Sequence, residues 1–161
     1  MSVDARQFKA AMSARAAGVA VVTSRHGDEI HGMTVSDFCG VSLDPPLVLV
    51  CADKASHTHA LIQRSGVFAA NLLGAGQEAL SDKFASKQDE FRRFEGLSWA
   101  TAVTGSPLIP GAVASFDCRV VAAHDAGDHV IYVGRVDAVV TGEGAPLVYW
   151  SGAYRSLDGA G

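Results

Sequence analysis

With 161 residues, 48% of them apolar and 19% charged, the chain is long enough for one domain that buries about two-thirds of its unfolded surface. Its net charge of -4 argues against a general phosphate-backbone binder, so nucleic acid is not an expected partner. The longest apolar run, around "PPLVLVCA", is far short of a membrane span, and the amino-terminal stretch lacks the basic-then-apolar order of an export signal, so a cytoplasmic location is expected.

The first element is an amphipathic helix over residues 4–17, where Phe8, Ala11, Met12 and Arg15 recur at spacings of three and four and Gly18 acts as a stop. "GVAVVTSRHGDEIHGMTVSDFCGVSL" then reads as two β-rich arms joined by "HGD", a hairpin with a long second arm. "PPLVLVCA" is a strand with its prolines at the start, where missing donors cost least. "SHTHALIQRSG" opens on a capping serine and closes on glycine, a short helix, and "VFAANLL" returns to strand. "GQEALSDKFASK" is a further helix with Ala79, Leu80 and Phe84 on one face. Residues 88–111 are charged and then punctuated by glycine and proline, a long excursion over the surface.

Three β-rich runs close the chain, "AVASFDCRVVAAHD", "DHVIYVGRVDAVVTG" and "PLVYWSG", the first two joined as a hairpin through "AHDAGD". Six or seven mostly meandering strands with a few helices predict a mainly β fold, an antiparallel closed or split barrel rather than a doubly wound parallel sheet. Cys39, Cys51 and Cys118 are odd in number and widely spaced, which suits free thiols in a reducing compartment better than a disulfide framework or a metal site.

The familiar catalytic motifs are absent. "GAGQEA" formally matches a dinucleotide-binding turn, but the position where that motif needs an acidic strand end is occupied by "RRFEGLSW". His57 and His59 lie two apart on a helix, about 200° around its axis, and cannot share one metal ion. No nucleophile elbow, P-loop or zinc-protease motif occurs.

Two stretches carry polar groups suited to a ligand. "HGMTVSDFCGVSL" places Thr34, Ser36 and Ser42 at a strand-to-strand transition. "ADKASHT" sets Lys54, Ser56 and Thr58 at a helix start, either as a phosphate cradle or as a simple cap with a solvated lysine. In "GDHVIYVGRV", Gly127 and Asp128 form a turn and strand alternation puts His129 at a barrel rim, where it is either a solvated turn histidine or a ligand group.

In order, "HGMTVSDFCGVSLDPPLVLV", "FAANLL", "GSPLIPGAVASFDCRVV", "GDHVIYVGRV" and "PLVYWSGAYRSL" resemble the flavin reductase family of short, FMN-binding split-barrel proteins, over residues 8–157. The resemblance implies a single flavin reductase-like domain over residues 1–161, forming a homodimer. It implies reduction of FMN or FAD by direct hydride transfer from NADH or NADPH, with the reduced flavin released to a separate flavin-dependent monooxygenase. It places Met33, Thr34, Val35 and Ser36 along the flavin ring. Ala52, Asp53, Lys54, Ser56 and Thr58 fall at the ribityl phosphate, Asn71 and Leu72 beside the flavin, Phe84 and Phe91 as apolar contacts, and His129 near the nicotinamide. Where the family carries Asp-Arg-Phe, the sequence is matched as Asp89, Glu90 and Phe91, so that Arg92 or Arg93 would have to supply the missing charge. A flavin carrier or sensor without turnover, and an enzyme similar to pyridoxamine phosphate oxidase, are the competing readings.

Overall fold

The structure, a computed structural model, describes residues 2–157. Helix α1, Ala5–Met12, begins at a capping box in which Asp4 accepts from the Gln7 N–H and the Gln7 side chain accepts from the Asp4 N–H. The helix is shorter than its pattern predicts. Ser13 returns its hydroxyl to the Ala10 carbonyl, and Ala14 and Arg15 close onto residues only three back, so the chain tightens out of the helix before Gly18. None of its side chains is buried; Phe8 and Met12 are exposed.

The main sheet has seven antiparallel strands in the order β3-β2-β6-β7-β8-β5-β4. These are β2 Ala20–His26, β3 Glu29–Val35, β4 Phe38–Ser42, β5 Leu47–Asp53, β6 Val67–Leu72, β7 Ala114–Ala126 and β8 His129–Thr141. The long second arm of the first hairpin divides at residues 36–37 into β3 and β4, which become the two edges of a sheet that curls without closing. A second sheet of three short strands, β1 Ala17–Gly18, β9 Val148–Trp150 and β10 Ala153–Arg155, brings the described strands to ten, above the six or seven expected. The final run "PLVYWSGAYRSL" is thus a tight hairpin, turned at Ser151 and Gly152, both with positive φ. The fold is an antiparallel split barrel.

Two-residue alternation sorts the apolar side chains. Val22, Met33, Val48, Val50, Ala52, Phe68, Ala70, Cys118 and Tyr132 fill the barrel interior. On the other face of β2, Val19 and Val21 pack with Leu73, Phe84, Ile109 and Leu147. Gly134 on β8 makes the interior possible, since a Cβ there would lie 2.5 Å from the Phe68 ring.

Helix α2, His57–Ser65, follows the expected signals. Ser56 accepts from the His59 N–H, Gly66 takes the left-handed conformation at the other end, and Ile62 joins the interior. Helix α3, Glu78–Ala85, lies against β3 and β2.

The excursion over residues 88–111 is tied to the sheet by buried polar groups. Asn71 on β6 accepts from the Ile109 N–H and the Ser115 hydroxyl, while Thr23 donates to the Pro107 carbonyl. The Asp117 carboxylate takes the Thr104 N–H and hydroxyl. No helix among the described residues is long and apolar enough to cross a membrane.

Candidate functional site

Because β3 pairs only with β2, half of its backbone N–H and C=O groups point outward, and two clefts open along that edge. One, of about 400 Å³, lies between residues 34–36, helix α3 at Ser81, Asp82 and Ala85, and the β9–β10 hairpin at Tyr149 and Tyr154. The other, of about 280 Å³, runs from Met33 and Thr34 past Phe84 to Asp53, Ala55 and Ser56, with Lys87, Glu90 and Arg93 opposite. Thr34 and Ala85 border both, so the two form one groove. Thr34 also donates its hydroxyl to the Ser81 carbonyl at 2.6 Å, and Tyr154 donates to the Asp82 carboxylate and accepts from the Ser81 hydroxyl, which holds α3 against both walls.

The second cleft has Lys87 and Arg93 among its walls, with Asp53 and Glu90 beside them. Arg93 is 6% exposed; Nη1 donates to the Gly32 carbonyl at 2.7 Å and Nη2 to the Ser86 carbonyl at 2.5 Å, while Nε is buried without a partner. Burial lowers its pKa, partly offset by the Glu90 carboxylate, yet a guanidinium stays charged. Ser56 stands at the start of α2, where unpaired N–H groups and the helix dipole favour an anion. A guanidinium lining the same cleft as a helix start is an arrangement suited to a phosphate monoester.

Several expected ligands point elsewhere. Lys54 turns away from the cleft; its Nζ donates to the Gly127 carbonyl at 2.6 Å and pairs with Asp125. Thr58 is fully buried, its hydroxyl sharing a 2.7 Å hydrogen bond with His31 Nδ1, so it cannot reach a ligand. Ala52 packs its side chain into the barrel interior. Asn71 on β6 is paired with Val21 of β2 and bonded to residues 107–109, and Leu72 ends the same strand; neither borders the groove. Phe91 is 73% exposed and rests edge-on against His57 and His31.

Met33, Thr34, Val35, Ser36, Asp53, Ser56 and Phe84 do line the groove. The apparent loss of an arginine at Glu90 has a simple resolution. Arg92 is exposed and bound to Glu95, whereas Arg93 is the buried base that lines the cleft, and Phe94 beside it packs edge-on against Phe84. Tandem arginines gave no local signal for which one turns inward. Tyr149 and Tyr154 were also missed, although they lie within the quoted motif "PLVYWSGAYRSL".

His129 stands at the tip of the β7–β8 hairpin, opposite Asp53 in the β5–β8 register. Asp53 borders the second cleft, which places the histidine at the same rim. Its Nδ1 is 2.7 Å from Asp128, and that hydrogen bond holds the Asp128 carboxyl below the usual carboxylate range. His57 and His59, as helical spacing requires, engage different partners: Glu29 for the first and Tyr132 for the second.

Comparison with known proteins agrees with this geometry. Residues 12–158 match the flavin reductase like domain family. The chain belongs to this family. The flavin reductase-like chain is 42% identical over 151 residues to "FMN reductase (NADH) SmoA" of Agrobacterium fabrum, covering 94% of its own length and 85% of that protein's. It is 35% identical over 159 residues to "Flavin-dependent monooxygenase, reductase subunit HsaB" of Mycobacterium tuberculosis, covering 97% and 84%. Among solved structures, the Streptomyces globisporus NADH:FAD oxidoreductase SgcE6 in complex with NAD and FAD fragments superposes with a TM-score of 0.90 at 32% identity, covering 99% and 98%.

One buried group gives this flavin reductase-like protein a pH-dependent stability. His31 is sealed beneath Phe91 and His57, with Nε2 unpartnered, and burial pushes its pKa down to about 4 from an ordinary 6.5. The unfolded chain therefore takes up a proton first as pH falls, and the stability present above 6.5 is lost progressively toward 4. Urea unfolding at pH 5 is expected to give a stability lower than at pH 7 by on the order of 1 to 2 kcal/mol from this group. His31→Gln should flatten that slope; an unchanged slope would place the proton elsewhere.

Proposed function

We propose that this protein is an NADH-dependent flavin reductase that passes reduced flavin to a separate flavin-dependent monooxygenase. Arg93 carries the reading, because a guanidinium that lines a groove along an edge strand, together with the start of α2, suits the phosphate of FMN. The outward backbone groups of residues 33–36 address the polar edge of the flavin ring, and the apolar walls exclude water from it. Bound flavin supplies the hydride acceptor, and NADH the hydride. The chain therefore needs no nucleophile or general acid; its task is to hold two rings together, with His129 orienting the nicotinamide. That SmoA is named an NADH-dependent FMN reductase and HsaB a monooxygenase reductase subunit supports the same activity and the same kind of partner.

The test is to mix the protein with NADH and excess FMN and follow the near-ultraviolet absorbance of the reduced nicotinamide. Continuous oxidation of NADH with free flavin reduced in step is expected. Flavin binding without turnover would replace this reading by a carrier or sensor.

The protein acts as a homodimer of single-domain chains in the cytoplasm. Support comes from α1, which buries no side chain of its own and exposes Phe8 and Met12, from Val139 and Val140 exposed on β8, and from three unpaired thiols. Light scattering at micromolar concentration is expected to give twice the chain mass, and a clean monomer mass would reject the dimer.

A further inference from the structure

The β7 arm of the β7–β8 hairpin runs well past the strand that flanks it. On β7, residues 114–119 pair with β6 and the Val120 N–H reaches the Gly66 carbonyl, so that from Val121 to the tip the backbone of β7 is bonded to β8 alone. β8 is paired with β5 as far as His129, opposite Asp53, so the tip is supported from the β5 side only and the turn beyond His129 lies past the last pair of that ladder. The loop that borders the second cleft holds that turn. The Lys54 N–H extends the β5–β8 ladder by donating to the Asp128 carbonyl at 3.0 Å, and the Lys54 side chain crosses the turn to the Gly127 carbonyl and to Asp125 on the unsupported part of β7. The same loop holds itself through Asp53, which accepts from the Ala55 N–H and, through its carbonyl, from the Ser56 N–H.

The geometry points to Lys54 as a positioning residue for the nicotinamide: it clamps the turn at residues 127–128 and so fixes His129 over the rim bordered by Asp53 and Ser56. This rests on the reading of His129 as the group that orients NADH. An exposed ion pair contributes little to global stability, so the clamp acts on the placement of the tip and not on the fold.

The experiment measures steady-state kinetics and FMN affinity for Lys54→Met, Lys54→Arg, Asp125→Asn and His129→Ala in the intact protein. Lys54→Met is expected to raise the KM for NADH about fivefold, with kcat, the FMN dissociation constant and the melting temperature nearly unchanged, as for loss of uniform binding. Lys54→Arg should recover most of the loss and Asp125→Asn reproduce part of it. Adding Lys54→Met to His129→Ala should raise the KM no further, because the two act through one group. A rise in the FMN dissociation constant with an unchanged KM for NADH would return Lys54 to the phosphate and overturn the clamp. A normal KM in Lys54→Met beside a raised one in His129→Ala would also overturn it while leaving His129 in place. If His129→Ala itself has normal NADH kinetics, the reading beneath the clamp fails, and the clamp with it.

Discussion

Arg93→Ala is expected to raise the FMN dissociation constant about 100-fold, the loss of one strong charge-assisted interaction with a phosphate, while riboflavin binding changes no more than about threefold. The contrast between the two flavins isolates the phosphate, since they share the isoalloxazine ring and differ in that group. The substitution also strips the Gly32 and Ser86 carbonyls of their buried donor, so some loss of stability accompanies it. Arg93→Lys separates the two effects: the ammonium keeps a charge in the cleft but cannot fork to both carbonyls, and it should recover part of the FMN affinity. Equal losses for FMN and riboflavin in a folded variant would remove the phosphate from this cleft. By contrast, Arg92→Ala should leave both affinities unchanged, because that side chain pairs with Glu95 at the surface.

His129→Ala should raise the KM for NADH and lower kcat/KM by about tenfold or more, the size of one or two hydrogen bonds lost from the transition state, with the FMN dissociation constant within about twofold of the starting value. The imidazole is held by Asp128 through Nδ1, and its Nε2 makes no hydrogen bond among the described residues, so one ring nitrogen remains for a ligand. His129→Gln, which keeps a donor and an acceptor at similar reach, is expected to fall between the two. Unaltered NADH kinetics in the alanine variant would make His129 a surface turn residue.

Much of the architecture was legible in local pattern. Alternation marked the strands, Ser56 and Gly66 marked both ends of α2, and Gly127 with Asp128 marked the long hairpin, because caps and turns are satisfied by residues within a few positions of one another. The same locality explains what was misread. Spacing of apolar residues continued the first helix to residue 17, but the chain tightens after Met12 to reach the β9 hairpin, where Trp150 donates to the Ala14 carbonyl. Short strands such as β1 and β10 have no period to detect and exist only through their pairing with β9.

At the site the division is sharper. Sequence by itself determined which residue types were available: an edge strand rich in small polar groups, a capped helix start, a histidine on a turn, and a surplus of bases near residues 92–93. Which of them face the groove was decided only by tertiary packing. Thr58 and Lys54 lie within four residues of Ser56, yet one is bound by His31, 27 positions earlier, and the other by a turn 73 positions later. Arg93 is drawn inward by a carbonyl 61 positions away, while Arg92 beside it stays in solvent. A polar side chain turns toward the partner that satisfies it best in a buried setting, and that partner is brought near only when distant strands have closed around it.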